Sequence, residues 1–184
     1  MSTRTQVMGI VNVTPDSFSD GGQWFERDVA IAHGRHLLAQ GADILDIGGE
    51  STRPGAARVS QEAELARVLP VVRALAGDAE AISVDTMRAE VARQAVAAGA
   101  TIINDVSGGK ADPAIAHVAV ETGARLVLSH WRGHSDVMAS LTRYGDVVRE
   151  VRAELAEQVE AALAVGVRRD QIIVDPGLGF AKDA

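Results

Sequence analysis

The sequence has 184 residues, of which 47% are apolar and 23% are charged, with a net charge of −7 and no cysteine. These proportions are ordinary for a globular domain, and the lack of cysteine excludes a disulfide-stapled scaffold and thiolate chemistry. The acidic balance argues against a general nucleic-acid-binding surface.

The amino terminus lacks the apolar segment of a secretory signal, and no apolar run approaches the length of a membrane span. We therefore expect a cytoplasmic protein that binds neither a membrane nor nucleic acid.

Six short runs rich in valine, isoleucine and leucine recur along the sequence, and each ends in or next to a polar residue. Uninterrupted apolar runs of this length are typical of strands covered on both faces in a parallel sheet. We predict strands at Val7 to Val11, Ile44 to Ile47, Ile82 to Asp85, Thr101 to Asn104, Leu126 to His130 and Ile172 to Asp175.

The segments between these strands have helical patterns, and Ser60 is a candidate N-cap for one of them. Five helices are predicted to finish at Gly41, Gly77, Gly99, Gly123 and Gly166. In the last helix, a buried apolar stripe is predicted at every fourth residue, at Val147, Val151, Leu155, Val159 and Leu163.

A repeated strand and helix allow two architectures, an open doubly wound sheet or a (β/α)8 barrel. A dinucleotide-binding doubly wound fold carries a glycine fingerprint after its first strand. Residues 12–22 are instead a long polar loop without that fingerprint. We therefore predict an α/β protein with the (β/α)8 TIM-barrel fold, as one domain over residues 1–184.

A complete barrel takes about 250 residues, whereas this sequence supplies about six βα units. We expect an incomplete barrel, in which the first and sixth strands keep unpaired edges and uncovered apolar faces.

Polar residues at successive strand ends point to a binding site, because the carboxyl ends of parallel strands meet at one edge of the sheet. Asp85, Asn104 and Asp175 offer carboxylate and amide groups that suit the amide-and-amine rim of a flat heterocycle. The alternative is that Asp85 and Asp105 cap helices or support loops.

The loop after the second strand contains Thr52, Arg53 and Pro54. The guanidinium of Arg53 is suited to a phosphate or carboxylate, although a solvated surface loop has the same composition. After the first strand, Asn12 could offer an oxygen to a hard cation such as Mg²⁺. A buried asparagine that satisfies backbone groups is the alternative.

Taken in order, five segments resemble the signatures of the dihydropteroate synthase family, and together they run through most of the sequence. The segment after the fifth strand, residues 129–133, is similar to the actinobacterial form. The five segments are residues 8–22, 46–56, 83–86, 103–109 and 175–182.

This resemblance implies a TIM barrel that joins 6-hydroxymethyl-7,8-dihydropterin pyrophosphate to 4-aminobenzoate in folate biosynthesis, with Mg²⁺ as cofactor and sulfonamides as competitors. It implies pterin binding by Asp85, Asn104 and Asp175, and magnesium binding by Asn12. Thr52 and Arg53 are expected near the phosphate and aminobenzoate, and Phe18, Pro54 and Phe180 around the aminobenzoate. Catalytic roles are expected for Arg53, Asp85 and Asp175.

The family pattern continues with a seventh strand carrying Ser-Arg-Lys and an eighth carrying Arg-x-His, and this sequence ends before both. We therefore expect a carboxyl-terminally shortened sequence with impaired activity on its own, and a homodimer for the full-length form. Two alternatives stay open: a catalytically silent pterin-binding paralogue and a pterin-dependent methyltransferase domain.

Overall fold

A computed structural model of the chain describes residues 4–14, 23–51, 58–134 and 137–182, in which strands and helices alternate. The strands are β1 (Met8–Asn12), β2 (Ile44–Gly48), β3 (Ala81–Asp85), β4 (Ile102–Asp105), β5 (Arg125–Ser129) and β6 (Ile172–Asp175). The helices are α1 (Gln23–Ala39), α2 (Gln61–Leu75), α3 (Ala89–Ala98), α4 (Ala114–Thr122) and α5 (Val147–Val165). Short 3-10 turns lie at Met138–Ser140 and Arg169–Gln171.

The six strands form one parallel sheet in sequential order, β1-β2-β3-β4-β5-β6. In a doubly wound sheet the strand order reverses at a switch point, whereas in a barrel each strand pairs with the next along the chain. The sequential order therefore confirms the predicted barrel architecture. Within the described residues, β6 is not paired with β1.

Apolar residues pack on both faces of the sheet because successive side chains of a strand point to opposite sides. One face packs against the helices and holds the larger core, to which Leu45 and Ile47 of β2 contribute. The other face is the inside of the barrel, where a smaller cluster brings together Ile44, Ile102 and Val127 with Met8, Ala81 and Ile173.

The edge strands have large exposed apolar side chains, as the sequence predicted for an incomplete barrel. Ile10 of β1 is 50% exposed and Val174 of β6 is 54% exposed. These two residues mark the places where the described part of the chain leaves the sheet uncovered.

Three predicted strands are displaced by one residue. β1 and β4 extend to Asn12 and Asp105, because these residues pair with Gly48 and Leu128 of the neighbouring strands. β5 ends at Ser129, so His130 lies just outside it. Strand ends are set by pairing with a neighbour, and the apolar run alone does not show that pairing.

The predicted helix ends are confirmed for α3, α4 and α5, which are capped by Gly99, Gly123 and Gly166. α1 and α2 end two residues before Gly41 and Gly77. None of the helices in the described ranges is both long and apolar enough to cross a membrane.

Ser60 is the N-cap of α2, as predicted, and its Oγ accepts a hydrogen bond from Ala63 N at 3.2 Å. Ser60→Ala removes this acceptor and should lower the free energy of unfolding by about 1 kcal/mol. Denaturant titration of the two proteins measures the difference. Ser60→Asp, which keeps an acceptor at the cap, should unfold like the wild type, and equal losses for both variants would contradict the capping role.

The predicted stripe on α5 is only partly correct. Val151 is buried, but Val147 is exposed and the other three members are half-buried. Steps of four residues advance by about 40° more than a full turn, so the stripe winds around the helix. The most buried residues are Val151, Gln158 and Ala162. Gln158 is buried because its Nε2 donates to the carbonyls of Ser107 and Ser129, at 3.4 and 3.3 Å.

Candidate active site

Four strand-end residues lie side by side at the carboxyl edge of the sheet. Asn12 pairs in register with Gly48, Gly48 with Asp85, and Asp85 with Asn104. Gly48 lies between the side chains of Asn12 and Asp85. A Cβ at this position would be only 3.3 Å from Asp85 Oδ2 and 3.6 Å from Asn12 Oδ1, so the absence of a side chain leaves space beside both groups. The parallel register therefore brings together three residues that are far apart in sequence.

Asp46 lies two residues before Gly48 and faces the same side of the sheet, one layer deeper in the barrel. Its Oδ2 accepts a hydrogen bond from Asn104 Nδ2 at 2.9 Å, whereas its buried Oδ1 has no hydrogen-bond partner among the described residues. Burial raises the pKa of Asp46. The sequence analysis assigned Asp46 no binding role, although its two-residue spacing from Gly48 places it on the inner face.

Asp85 is the most strongly perturbed carboxyl of this group. Burial is the main cause that raises its pKa well above the ordinary value, and the neighbouring carboxylates of Asp46, Glu64 and Asp105 raise it further. The charged form of Asp85 is therefore disfavoured in the free protein. Such a carboxylate is suited to a ligand that presents N–H groups, because hydrogen bonds from the ligand would stabilise the charged form.

The inside of the barrel contains a cavity of about 320 Å³ that is open to solvent. Asn104 and Asp175 lie at its upper end, apolar residues line its middle, and Gln6 and Arg125 lie at the opposite end, where the strands begin. Asp175 is exposed, and its Oδ1 accepts a hydrogen bond from Gly177 N at 2.8 Å. The lining also includes Gln6, Met8, Ile44, Ile102, Arg125, Val127 and Ile173.

The two aspartates considered as possible helix caps behave differently. Asp105 is fully buried and supports its own loop, since it accepts hydrogen bonds from Ser107 N, Ser107 Oγ and Gly109 N at 2.7 to 2.8 Å. Asp85 does not cap α3, whose N-cap position is Arg88 and whose Ala89 N donates to Asp112 Oδ2 at 2.8 Å. Loop support thus applies to Asp105, and Asp85 remains free for a ligand.

The predicted anion-binding residues Thr52, Arg53 and Pro54 lie outside the described residues, as does Phe18. The structure does describe the framework on both sides of residues 52–57. The Arg88 guanidinium donates to Glu50 Oε2 at 2.7 Å and to Val59 O at 2.6 Å, and it contacts Glu64. Sequence reasoning missed this network, because all three partners of Arg88 lie more than 20 residues away in the sequence.

The same network reaches the residue that follows Asp85. Thr86 Oγ1 donates to Glu64 Oε1 at 2.6 Å, and the side chain of Glu64 is only 1% exposed. Burial raises the pKa of Glu64, while Thr86 and Arg88 oppose that shift. A continuous set of hydrogen bonds therefore joins the end of β3 to both flanks of residues 52–57.

Phe180 lies at the mouth of the barrel, in the segment that follows β6. It lines a small cavity of about 20 Å³ together with Ser51 and Arg58, which flank residues 52–57. Trp131 and His134 line the same cavity, with their rings in edge contact at a centroid distance of 4.9 Å. The structure thus brings Phe180 to the flanks of the second loop.

The described residues contain no cluster of three or more side chains arranged to hold a metal ion. A magnesium ion in a phosphate-binding enzyme needs few protein ligands, because substrate phosphates and water complete its shell. Asn12 is exposed, and its Oδ1 and the Asp85 carboxylate both lie beside Gly48. This donor set fits an ion held mainly by its substrate.

Residues 8–184 match the family model described as "Pterin binding enzyme". The chain belongs to the pterin-binding enzyme family. The match covers all six strands, and it agrees with the resemblance recognised from the sequence signatures.

Several named relatives of the chain are dihydropteroate synthases. The chain is 52% identical over 178 residues to the dihydropteroate synthase of Mycobacterium leprae, and 50% identical over 182 residues to that of Synechocystis. These alignments cover 96% and 98% of the chain but 63% of each relative. The chain thus spans less than two thirds of the length of these pterin-binding enzymes.

Solved structures of dihydropteroate synthases share the fold. The Clostridium difficile enzyme, solved in the presence of pteroic acid, matches with a TM-score of 0.90 and 42% identity. The match covers 98% of the chain and 67% of the Clostridium difficile enzyme. The Xanthomonas albilineans enzyme with 4-aminobenzoic acid matches with a TM-score of 0.90 and 47% identity. This match covers 98% of the chain and 64% of the Xanthomonas albilineans enzyme. The barrel assignment and the family resemblance are therefore confirmed for this member of the pterin-binding enzyme family.

Proposed function

We propose that the complete protein is a dihydropteroate synthase, joining 6-hydroxymethyl-7,8-dihydropterin pyrophosphate to 4-aminobenzoate and releasing pyrophosphate. The observation that carries the proposal is the placement of three hydrogen-bonding groups at the carboxyl ends of β3, β4 and β6. Asn104 and Asp175 line one cavity inside the barrel, and Asp85 pairs in register with Asn104. Relatives with this fold have been solved with 4-aminobenzoic acid and with 7,8-dihydropteroate.

In this proposal, Asp85, Asn104 and Asp175 bind the pterin. A pterin presents a row of N–H donors and ring acceptors, which carboxylate and amide groups complement. Desolvation has already raised the pKa of Asp85. Hydrogen bonds from the ligand would return it to the charged form and give the pterin a fixed orientation.

The reaction breaks the carbon–oxygen bond to pyrophosphate, which leaves with the bonding electron pair. The electron-rich dihydropterin stabilises the resulting cation, and the amine of 4-aminobenzoate attacks it and then releases a proton. The protein needs no covalent nucleophile, since orientation, charge neutralisation and exclusion of water are sufficient. Arg53 and Thr52 would bind the anionic groups, and Phe18, Pro54 and Phe180 would enclose the aminobenzoate.

Asn12 would hold the magnesium ion, which neutralises charge on the leaving pyrophosphate when it is bound. We also propose that the complete protein works in the cytoplasm as a homodimer. Sedimentation of the purified complete protein tests the oligomeric state, and a monomer at catalytic concentration would contradict it.

The function is tested by incubating the complete gene product with dihydropterin pyrophosphate, 4-aminobenzoate and Mg²⁺, and measuring 7,8-dihydropteroate by chromatography. We expect turnover that a sulfonamide inhibits competitively with 4-aminobenzoate, as expected from the Yersinia pestis relative solved with a sulfonamide drug complex. Pterin binding without product would identify a silent binding module. Binding of methyltetrahydrofolate without condensation would identify the methyltransferase class.

A further inference from the structure

The segment after β6, residues 176–182, is held in place by the side chain at its end. Lys182 Nζ donates to the carbonyl oxygens of Gly177 and Phe180, at 2.8 and 2.9 Å. The third contact of Nζ is to His130 Nδ1 at 3.0 Å. Since an ammonium group has three protons, these contacts use its entire donor capacity.

These contacts define the state of His130, whose side chain is completely buried. A lysine ammonium can only donate, so Nδ1 of the ring is the acceptor and the ring proton is on Nε2. That proton faces Glu154 Oε2 on α5, at 2.9 Å. Burial and the charge of Lys182 lower the pKa of His130, against the opposing effect of Glu154. The imidazole is therefore a neutral spacer between a lysine and a carboxylate.

Glu154, which ends the hydrogen-bonded series from Lys182 through His130, is itself held in place. Arg132 donates to Glu154 Oε1 at 2.5 Å and to Glu150 Oε2 at 2.9 Å. Its guanidinium carbon lies 3.7 Å from the centre of the Tyr144 ring, and Tyr144 Oη donates to Ala181 O at 2.9 Å. The segment after β6 is thus attached to α5 by two routes.

The backbone of β6 is held separately. His130 N donates to Asp175 O at 2.9 Å, which continues the pairing of β5 with β6. Gly177 packs closely on His130, since a Cβ there would lie 2.7 Å from His130 O. Asp175 is therefore held without Lys182. Phe180 N donates to Gly177 O at 2.9 Å within the segment, and the side chains of Lys182 and Tyr144 join the Phe180 end of the segment to the rest of the fold.

We propose that Lys182 and His130 are positioning residues that hold Phe180 at the mouth of the barrel and so determine the binding of the second substrate, with little effect on the pterin. The inference rests on the proposed function, in which Phe180 encloses 4-aminobenzoate. We assign neither residue a contact with a reacting atom.

The test is Lys182→Met in the complete protein, with steady-state kinetics for 4-aminobenzoate and calorimetry for the pterin. The KM for 4-aminobenzoate should rise about tenfold, the effect expected from losing one or two charged hydrogen bonds. Pterin affinity should stay at the wild-type value. The matched control is Arg93→Met, which removes an exposed cation that pairs with Glu121 on the helix surface and should change neither quantity.

A conservative variant distinguishes the loss of the Lys182 contacts from general misfolding of the protein. Lys182→Arg keeps the positive charge and several donors, so its KM should lie between those of the wild type and Lys182→Met. Equal losses of pterin affinity and of binding for 4-aminobenzoate in both variants would show a general structural role and overturn the proposal.

A readout that does not need turnover is the protonation of His130, followed by nitrogen NMR of the imidazole. The wild type should show a neutral ring with its proton on Nε2. In Lys182→Met the loss of the facing charge should raise the pKa of His130, because Glu154 is then its nearest charged partner. An unchanged ring signal would overturn the assigned contact. Failure of wild-type turnover with the expected ring signal would reject the synthase function and leave the contact intact.

Discussion

Asp85→Asn in the complete protein should abolish tight pterin binding and, at the same time, make the protein more stable. The substitution keeps the shape of the side chain and removes its charge. The carboxylate can accept two hydrogen bonds from the ligand, whereas the NH2 group of the asparagine would face a ligand donor with another donor. The affinity for the pterin should therefore fall by about a hundredfold or more.

The gain in stability follows from the direction of the pKa shift. The folded protein raises the pKa of Asp85 above its unfolded value, so ionisation at neutral pH favours the unfolded state. The penalty is absent below the unfolded pKa, begins as pH rises through it, and is complete above the folded pKa. Asp85→Asn removes the penalty, and its stabilisation should therefore appear near neutral pH and vanish in acid.

Titration calorimetry with a pterin measures the affinity, and denaturant unfolding at neutral and acidic pH measures the stability. The matched control is Asp170→Asn, since Asp170 is exposed and pairs with Arg168 on the surface. It should leave both quantities unchanged. Wild-type pterin affinity in Asp85→Asn would remove Asp85 from the site.

Arg88→Met should cause the largest loss of stability. Arg88 contacts the carboxylates of Glu50 and Glu64, and Glu64 would be left buried without a cationic partner. The expected loss is about 3 kcal/mol, at the low end for a buried pair because Arg88 keeps 18% of its side chain exposed. Turnover should fall as well, since Arg88 joins Glu50 to Val59 across residues 52–57.

The pH dependence identifies the cause of that loss. Without Arg88 the pKa of Glu64 should rise further, so the destabilisation should be present near neutral pH and decrease as Glu64 is protonated in acid. Arg88→Met combined with Glu64→Gln should recover much of the loss, because no buried charge is then unpaired. Arg93→Met, which removes an exposed partner of Glu121, is the control and should have little effect. A pH-independent loss in Arg88→Met would contradict the role assigned to Glu64.

The strands were predictable because each is an apolar run long enough to cross a buried sheet. Their ends were less so: Asn12 and Asp105 are drawn into β1 and β4 by pairing with a neighbour. The position of Gln158 on the buried side of α5 was also hidden, since its burial depends on two carbonyl groups that belong to other elements.

The candidate site was predictable where it depends on strand ends. Asp85 and Asn104 lie next to each other because their strands do, and the order of βα units in the sequence already implied this. The contacts of Asp46, Glu64 and Lys182 were not predictable, because each partner lies between 22 and 58 residues away in the sequence. Such pairs depend on side-chain packing rather than on local pattern.

The alternation of β2, β3 and β4 has a consequence for how the protein reaches its native structure. Asp46, Asp85 and Asn104 face the barrel, while their immediate neighbours, such as Ile47 and Val84, face the helices. A strand that paired one residue out of register would turn its polar group into the apolar helix layer. The residues proposed to bind the pterin would thus also disfavour misaligned strand pairings during folding.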